Sequence, residues 1–425
     1  MKISLIALGC KVNQYENETI AKKLNSLGFD VSLSFDYANI YILNTCAVTN
    51  EAERKSRQYV SKIIKQNPSS KIYIIGCAVS ANAEQFLKKS NIQYIIGNNH
   101  KEQVVDAIVN NYTGNYFNEP EKIYSEFEYV PTCQNNLSER VRKYIKIQDG
   151  CNNFCTYCAI PYLRGRSRSR KLDNIVKEVK DVSKIANEIV ITGINMSDYK
   201  IDGKLALPKV FDALKDIDSR IRIGSLEVNV ITDELLQSLK NLKKFAEQFH
   251  LSLQSGCNRI LKLMNRHYTI SQFLEKVNLI RKYFPNAAIT TDLIVGFAKE
   301  TDEDFLETIE TIEKVKFSSM HIFEYSEKKG TKGVLLGKSD SNDIKRHLIQ
   351  VNELAKKLKI DFENKFLNTV QNILIEEHFD GYSIGLTGNY IKVFVKGELT
   401  INEFYDIKLV KNDIENSRII GEIIN

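Results

Sequence analysis

Three cysteines in the middle of the chain have the spacing of ligands to an iron-sulfur cluster. The stretch "DGCNNFCTYCAIPYLRGR" places Cys151, Cys155 and Cys158 in a Cys-x3-Cys-x2-Cys pattern directly after an apolar run. Three thiolates on such a loop can hold three irons of a cubane cluster, whereas four protein ligands are the usual number. The fourth iron is then open, so the spacing predicts a cluster that also binds a group from outside the protein.

A zinc knuckle is the structural alternative for these three cysteines. Structural zinc sites need a fourth Cys or His ligand at short spacing. The forty residues after Cys158 contain neither residue type. The sequence therefore favours iron and sulfur over zinc.

Three further cysteines lie in the first 80 residues, and each ends an apolar run. Cys10 ends "IALGC", Cys46 ends "YILNTC" and Cys77 ends "IYIIGC". These runs alternate with helical patterns, which predicts a parallel sheet covered by helices. Because the carboxyl ends of parallel strands share one edge of a sheet, we expect the three thiols to converge there. Each cysteine taken singly has the alternative of a buried hydrophobic role.

Cys10 has one more alternative, the cleavage site of an exported lipoprotein. A secretory signal needs an apolar stretch of about 7 to 15 residues. The run from Ile3 to Leu8 is shorter and contains Ser4. The sequence also has no apolar stretch near the roughly 20 residues of a membrane span. We therefore expect a cytoplasmic protein without a membrane partner.

The elements that would position these cysteines divide into three predicted domains. Residues 1–112 form the α/β domain with a parallel sheet. Residues 138–367 contain six strands that alternate with helices, which suggests a partial (βα)6 barrel with active residues at the carboxyl ends of its strands. Residues 368–425 contain short strands broken by Gly, Asn and Asp, as expected of a small β-barrel. The polar stretch 113–137 is predicted to be a linker.

The loop of Cys151, Cys155 and Cys158 resembles the signature of the radical S-adenosylmethionine (SAM) enzymes, in which an aromatic residue, here Tyr157, precedes the third cysteine. The resemblance implies that the open iron chelates the amino and carboxylate groups of SAM, and that the reduced cluster cleaves SAM to a 5′-deoxyadenosyl radical. The protein supplies placement and exclusion of water. Further SAM contacts are implied in "VITGIN", "IGSLE" and "LIVGFAKET", namely Thr192, Gly193, Ser225, Glu227 and Gly296.

Both cysteine sets and the β-rich tail together resemble the methylthiotransferases over nearly the whole chain. The blocks "LGCKVNQYE", "NTCAVTNEAERKSR", "IIGCAV", "HLSLQSGCNRILKLMNRHYT" and "FEYSEKKGT" carry this likeness. It implies that Cys10, Cys46 and Cys77 bind a second 4Fe-4S cluster, whose free iron carries or accepts the sulfur. It also implies a central radical SAM barrel and a C-terminal domain of the TRAM type. The implied cofactors are two 4Fe-4S clusters and SAM, and the implied partners include an external electron donor and a sulfur donor.

The branches of this family differ in substrate. The "GCKVNQYE" form together with "QSGC" most resembles the enzymes that act on N6-threonylcarbamoyladenosine at position 37 of tRNA. The implied reaction replaces the C2 hydrogen of adenine with a methylthio group, one SAM supplying the methyl group and a second the radical. Alternatives are the same chemistry on isopentenyladenosine-37 or on a ribosomal protein aspartate. A non-catalytic iron-sulfur carrier or sensor is disfavoured, because carriers generally use four protein ligands.

Several positions depart from the family pattern. Ala298 and Lys299 stand where Pro and Gly are usual. Prolines are also replaced by Val228, Glu324 and Glu327. None of these positions is a predicted cluster ligand, and we expect SAM binding to be retained.

Positive charge is concentrated near the middle of the chain, although the formal net charge is only +6. The run "LRGRSRSRK" follows the cysteine loop and is predicted to contact tRNA phosphates beside the active site, which would make binding depend on salt. Its basic residues are Arg164, Arg166, Arg168, Arg170 and Lys171. The alternative is a solvated surface.

The last 60 residues carry more acidic than basic side chains. A TRAM-like domain of this charge is predicted to recognise RNA by shape or by a few exposed groups. Lys392 and Lys396 are the predicted contacts.

Overall fold

The computed structural model describes residues 1–87, 90–98, 100–116 and 140–424. Most of the predicted linker 113–137 lies outside these ranges. The domain boundaries proposed from the sequence remain predictions. The structure does contain the three predicted folds, namely the parallel sheet, the central barrel and the small β-barrel.

The N-terminal domain is a six-stranded parallel sheet in the order β2-β1-β3-β4-β5-β6. Its strands are β1 (Lys2–Ala7), β2 (Asp30–Ser32), β3 (Ile40–Thr45), β4 (Lys71–Gly76), β5 (Ile92–Ile96) and β6 (Gly114–Tyr116). Its helices are α1 (Lys11–Ser26), α2 (Asn50–Gln66), α3 (Cys77–Ala81) and α4 (Gln103–Val109). Separate apolar clusters bury the two faces of the sheet, one against α1 and α4 and the other against α2 and α3. The predicted parallel sheet is therefore confirmed.

The central domain consists of two four-stranded sheets, β12-β9-β7-β8 and β13-β14-β15-β16. Its parallel strands are β7 (Arg142–Asp149), β9 (Glu188–Gly193), β12 (Arg220–Ile223), β13 (Ser225–Leu226), β14 (Gln248–Leu251), β15 (Ala288–Val295) and β16 (Ser319–Glu324). The short strands β8 (Arg168–Ser169), β10 (Lys200–Ile201) and β11 (Lys204–Leu205) pair antiparallel. A bridge joins Ile221 on β12 to Phe245, which lies just before β14 of the second sheet. The predicted partial (βα)6 barrel is therefore confirmed.

Helices cover the outside of this barrel. They are α6 (Leu172–Val182), α7 (Leu207–Ala213), α8 (Asp233–Lys240), α9 (Asn258–Leu263), α10 (Ile270–Tyr283), α11 (Asp302–Val315) and α12 (Ser341–Asn364). The short helix α5 (Ile160–Arg164) packs instead against the N-terminal domain. Alternate strand residues such as Ile189 and Ile191 pack against these helices in the largest apolar cluster. Side chains at the intervening positions face the barrel interior.

The C-terminal domain is a closed barrel in the order β17-β18-β19-β21-β20. Its strands are β17 (Val370–Phe379), β18 (Tyr382–Thr387), β19 (Lys392–Lys396), β20 (Phe404–Asp413) and β21 (Arg418–Ile423). It packs against the amino-terminal end of the central barrel, where Arg222 donates to the backbone oxygen of Thr387 at 3.3 Å. Arg142 forms an ion pair with Glu376 at 2.9 Å. The opposite end, where the strands end, stays available to the N-terminal domain.

No helix in the described ranges is both long and apolar enough to cross a membrane.

Candidate metal centres at the domain interface

The N-terminal cysteines lie at the ends of three neighbouring strands. We call Cys10, Cys46 and Cys77 the auxiliary triad. Cys10 caps the amino terminus of α1, Cys46 directly follows β3, and Cys77 opens α3 directly after β4. Because β1, β3 and β4 are adjacent in the sheet, the topology brings the three thiols to one edge. Cys77 lies close enough to Cys10 and Cys46 to raise the pKa of both thiols, and Cys10 has the same effect on Cys46.

The thiols of the auxiliary triad are buried, and their donor type is compatible with a bound metal group. Burial raises the pKa of the Cys10 thiol and raises the pKa of Cys46 to about 12, and the neighbouring Cys77 adds to both shifts. Metal binding needs the deprotonated thiolate, so a cation at this site would release protons. Gly9 leaves the sulfur of Cys46 room, because a Cβ at position 9 would lie 2.5 Å from it. The donor set and this close packing fit a cluster held by three thiolates.

Cys151, Cys155 and Cys158, the central triad, lie on the loop between β7 and α5. Burial raises the pKa of Cys151 to about 11 and that of Cys158 to about 12. Arg266 donates to the sulfur of Cys155 at 3.5 Å, and Asn195 donates to the sulfur of Cys151 at 3.7 Å. These donors stabilise negative charge on sulfur, which suits a cluster bound by thiolates.

No three His, Cys, Asp or Glu side chains in the described part of the chain are close enough together to hold a single metal ion. A cubane cluster, in contrast, takes each thiolate on a different iron.

The predicted SAM contacts fall at the same end of the barrel. Glu227 pairs with Arg266 and accepts from Asn153 at 3.2 Å. These three residues, together with Asn195, line a cavity of 170 Å³ beside the cysteine loop. Arg266 therefore connects the predicted SAM contact Glu227 to the predicted ligand Cys155. The side chain of Ser225 at the start of β13 is exposed.

The other predicted SAM contacts are held by packing. The ring of Tyr157 meets that of Phe297 edge to face at 6.3 Å, and burial raises its pKa well above the usual range. Thr192 is buried at the end of β9, and a Cβ at Gly193 would lie 2.9 Å from Met196. At Gly296 an added Cβ would lie 2.5 Å from Ile344 on α12. The group that lies closest to Gly296 is therefore helix α12 of this same chain.

Two of the predicted phosphate contacts are instead buried in ion pairs. Arg164 is 2% exposed and binds Glu16 and Asp149, and Arg170 is 1% exposed and binds Glu178. Neither guanidinium faces solvent. This corrects the expectation that the whole arginine run forms a phosphate-binding stripe.

The other basic residues of that expectation are partly or fully exposed. Arg166 is exposed and lies over the ring of Phe154 at 4.4 Å. Arg168 is half-buried against Asp149 at 3.2 Å. Lys171, Lys392 and Lys396 are exposed, and Lys392 pairs with Glu377 at 3.1 Å.

Sequence reasoning missed three side chains that contact the predicted cluster cysteines, Asn98, Asn195 and Arg266. Arg266 lies in the quoted block "MNRHYT", but spacing alone did not distinguish it from a surface arginine. Asn98 donates to the sulfur of Cys77 at 3.0 Å and to the backbone oxygen of Leu163 at 3.2 Å. A single asparagine after a strand carries no such signal in a sequence.

The N-terminal domain contacts the barrel through α1, where Glu16 pairs with Lys146 at 3.1 Å, and at two further places. On one side Asn98 and Arg164 connect it to α5, the helix that follows the central triad. On the other side Lys328 forms an ion pair with Glu53 at 2.7 Å, and Ser326 accepts from the backbone of Asn50 at 3.2 Å. The edge that holds the auxiliary triad therefore faces the end of the barrel that holds the central triad.

The barrel with three clustered cysteines at the end of its first strand defines a radical SAM enzyme, a class that uses SAM and a 4Fe-4S cluster. A family model described as "Radical SAM superfamily" matches residues 145–312, and one described as "Uncharacterized protein family UPF0004" matches residues 2–97. The radical SAM methyltransferase TsrM from Kitasatospora setae has a similar fold, with a TM-score of 0.55 and 13% identity over 76% of this chain and 74% of that one.

Curated relatives narrow the class. A threonylcarbamoyladenosine tRNA methylthiotransferase of Bacillus subtilis is 33% identical over 96% of this chain and 94% of its own. One of the same name from Aquifex aeolicus is 35% identical over 93% and 97%. A tRNA-2-methylthio-N(6)-dimethylallyladenosine synthase of Thermodesulfovibrio yellowstonii is 32% identical over 98% and 97%. The chain belongs to the methylthiotransferase family of radical SAM enzymes.

Proposed function

We propose that this chain is a tRNA methylthiotransferase that attaches a methylthio group to C2 of N6-threonylcarbamoyladenosine at position 37. Similarity to relatives named for this nucleoside, at 33% and 35% identity, supports the substrate. The relative named for dimethylallyladenosine, at 32%, supports the same reaction on an isopentenyl-bearing adenosine as the alternative.

The main support for this proposal is that the auxiliary triad and the central triad face each other across the domain interface. A methylthiotransferase must bring a sulfur source to the carbon from which hydrogen is removed. Asn98 contacts both Cys77 and the helix that follows Cys158, so one side chain joins the two sites. A protein that only carried electrons would not need two triads that each leave an iron open.

The residues around each triad have distinct roles in this proposal. When bound, SAM and the central cluster supply the radical that removes hydrogen, and the auxiliary cluster holds the sulfur. Glu227 and Arg266 orient SAM, while Asn195 and Arg266 stabilise the charge of the central thiolates. Gly9 and Cys46 keep the auxiliary triad closely packed.

An exposed aromatic and basic surface beside the central loop is the proposed tRNA contact. Phe154, on this loop, packs edge to face with Tyr162 at 5.7 Å, and Arg166 covers its ring. Tyr162 is 42% exposed. Aromatic rings and guanidinium groups stack on unpaired bases, while basic groups contact phosphates. We also propose that Lys171, together with Lys392 and Lys396 of the C-terminal domain, contacts the phosphate backbone of the tRNA.

The quoted stretch "KVNQYE" supports the substrate branch only through resemblance. Its residues Asn13 and Glu16 bind Arg164 at the domain interface. The branch therefore needs a direct measurement.

Mass spectrometry of tRNA nucleosides from cells with and without the gene tests the substrate. We expect loss of the 2-methylthio form of threonylcarbamoyladenosine, with the unthiolated nucleoside accumulating. A change confined to the isopentenyl nucleoside would replace the proposed substrate by the alternative. Anaerobic, reduced protein should also cleave SAM to 5′-deoxyadenosine. Absence of cleavage with intact clusters would contradict the enzyme and favour an iron-sulfur carrier or sensor.

A further inference from the structure

Arg164 lies between the two cysteine triads. It ends α5, the helix that follows Cys158, and its Nη2 donates to Asn13 at 2.7 Å. Its Nη1 donates to Glu16 at 3.0 Å and to Asp149 at 3.1 Å. Asn13 and Glu16 belong to the first turns of the helix that Cys10 caps. One buried guanidinium therefore connects the start of the central loop to the helix of the auxiliary triad.

The third donor position of Arg164 has no partner. Its Nε is buried and lacks a hydrogen-bond acceptor among the described residues. A buried polar group without a partner costs about 1–3 kcal/mol. The Nε–H of Arg164 can therefore donate to an acceptor that binds at this position.

The auxiliary triad lies beside Arg164. Asn98 donates to the backbone oxygen of Leu163, the residue before Arg164, and also to the sulfur of Cys77. A cluster on the thiolates of the auxiliary triad would add negatively charged sulfur close to the guanidinium.

We propose that Arg164 is a positioning residue that raises the reduction potential of the auxiliary cluster, through its charge and through a hydrogen bond from Nε–H to sulfur. This inference rests on the second cluster of the proposed function. A positive charge and hydrogen bonds to sulfur favour the reduced, more negative cluster. The Nη groups at the same time fix the N-terminal domain to the barrel.

Arg170 is a matched control in the same interface. It is equally buried, pairs with Glu178 and donates to the hydroxyl of Tyr15 on α1 at 3.3 Å. Replacing it also removes a buried arginine that joins α1 to the central domain. A potential that depended only on docking would respond to both arginines.

The test uses the full chain with Cys151→Ala, Cys155→Ala and Cys158→Ala, so that only the auxiliary cluster gives a signal. The protein is reconstituted anaerobically with iron and sulfide and titrated with dithionite while the electron paramagnetic resonance spectrum is followed. Arg164→Gln, Arg164→Lys, Arg170→Gln and Arg170→Lys are compared in this background. Arg164→Lys keeps the charge but has no Nε–H.

Arg164→Gln should lower the equilibrium constant for reduction about tenfold, or about 59 mV for one electron. Arg164→Lys should give a smaller decrease, and both Arg170 variants should match the parent. If the Arg164→Gln variant takes up no iron, the reduction potentials of Arg164→Lys and Arg170→Lys are compared instead, and this comparison tests the inference. Unchanged potentials in the Arg164 variants, or an equal shift in the Arg170 variants, would overturn the inference. A parent without a cubane signal would instead contradict the auxiliary cluster.

Discussion

The auxiliary and central triads contain the same ligand type but are built differently. The central triad lies within residues 151–158 on one loop, so its geometry is set by local chain spacing. The auxiliary triad draws on the ends of β1, β3 and β4, and sheet order brings its sulfurs together. Local spacing is visible in a sequence at once. A site assembled by topology becomes visible only when the strands and their order are considered.

Despite this difference, the surroundings of the two triads meet the same physical needs. A glycine with positive φ precedes the first cysteine of each, Gly9 at +90° and Gly150 at +69°. A buried arginine with an unpartnered Nε lies beside each, Arg164 at the auxiliary triad and Arg266 at the central one. Close packing and a nearby cation therefore accompany both sites.

The glycines give the largest expected difference between the triads. In Gly9→Ala the new methyl group overlaps the sulfur of Cys46, and in Gly150→Ala it overlaps the backbone oxygen of Arg166 at 2.0 Å. Left-handed backbone adds about 1–2 kcal/mol of strain for alanine. We expect Gly9→Ala to lose the auxiliary cluster but keep SAM cleavage, and Gly150→Ala to lose SAM cleavage. Iron content and 5′-deoxyadenosine formation measure the two losses, and equal effects of both variants would break the comparison.

Buried carboxyls near the two regions should respond to pH with opposite signs. Burial raises the pKa of Glu300, after β15, to about 7. Between about pH 4.5 and 7 the folded state then keeps a proton that the unfolded state has lost, so the free energy of unfolding decreases as pH rises, by up to about 3 kcal/mol. Glu300→Gln should therefore gain stability over the parent as pH increases from 5 to 8.

Glu16, beside the auxiliary triad, should behave in the opposite way. Burial raises its pKa, but Arg164, Lys101 and Lys146 outweigh burial and hold it well below its usual range. Its contribution is present above about pH 4.5 and is lost as pH falls further. Glu16→Gln should cost about 3–5 kcal/mol at pH 7 and less in acid. Urea unfolding at matched iron content measures both effects, and slopes of the same sign in the two variants would contradict these assignments.

Arg266 gives the smallest of the expected effects. Arg266→Gln removes the donor to Cys155 and the partner of Glu227, and should slow SAM cleavage about 10- to 100-fold, as loss of outer-shell partners does at other metal sites. The auxiliary cluster should keep its spectrum. Arg259→Gln is the control, because this half-exposed arginine pairs with Asp304. If Arg266→Gln cleaves SAM as fast as the control, Arg266 does not contribute to the SAM site.

The strands and the central loop could be predicted because their signals are local. Apolar runs such as "EIVITG" coincide with β9, and cysteine spacing needs no knowledge of the fold. The three-residue strands β2 and β6 were missed, β6 inside the stretch expected to be a linker, because each is too short to show a period.

The roles of the arginines could not be read from the run "LRGRSRSRK". Arg164 is buried because Glu16 reaches it from the N-terminal domain, and Arg170 is buried because Glu178 lies on the following helix. Alternation of Arg and Ser contains no information about such partners. The neighbour of Gly296 could not be predicted from the sequence either. It is Ile344 on α12, which is far from Gly296 along the chain.

The division of labour between the two triads is tested most directly with Cys46→Ala. In one anaerobic assay with tRNA, reductant and SAM, the formation of 5′-deoxyadenosine and of methylthiolated nucleoside is measured together. We predict that 5′-deoxyadenosine still forms and that the methylthiolated nucleoside disappears. Retention of both products, or loss of both with the central cluster intact, would contradict separate roles for the two sites.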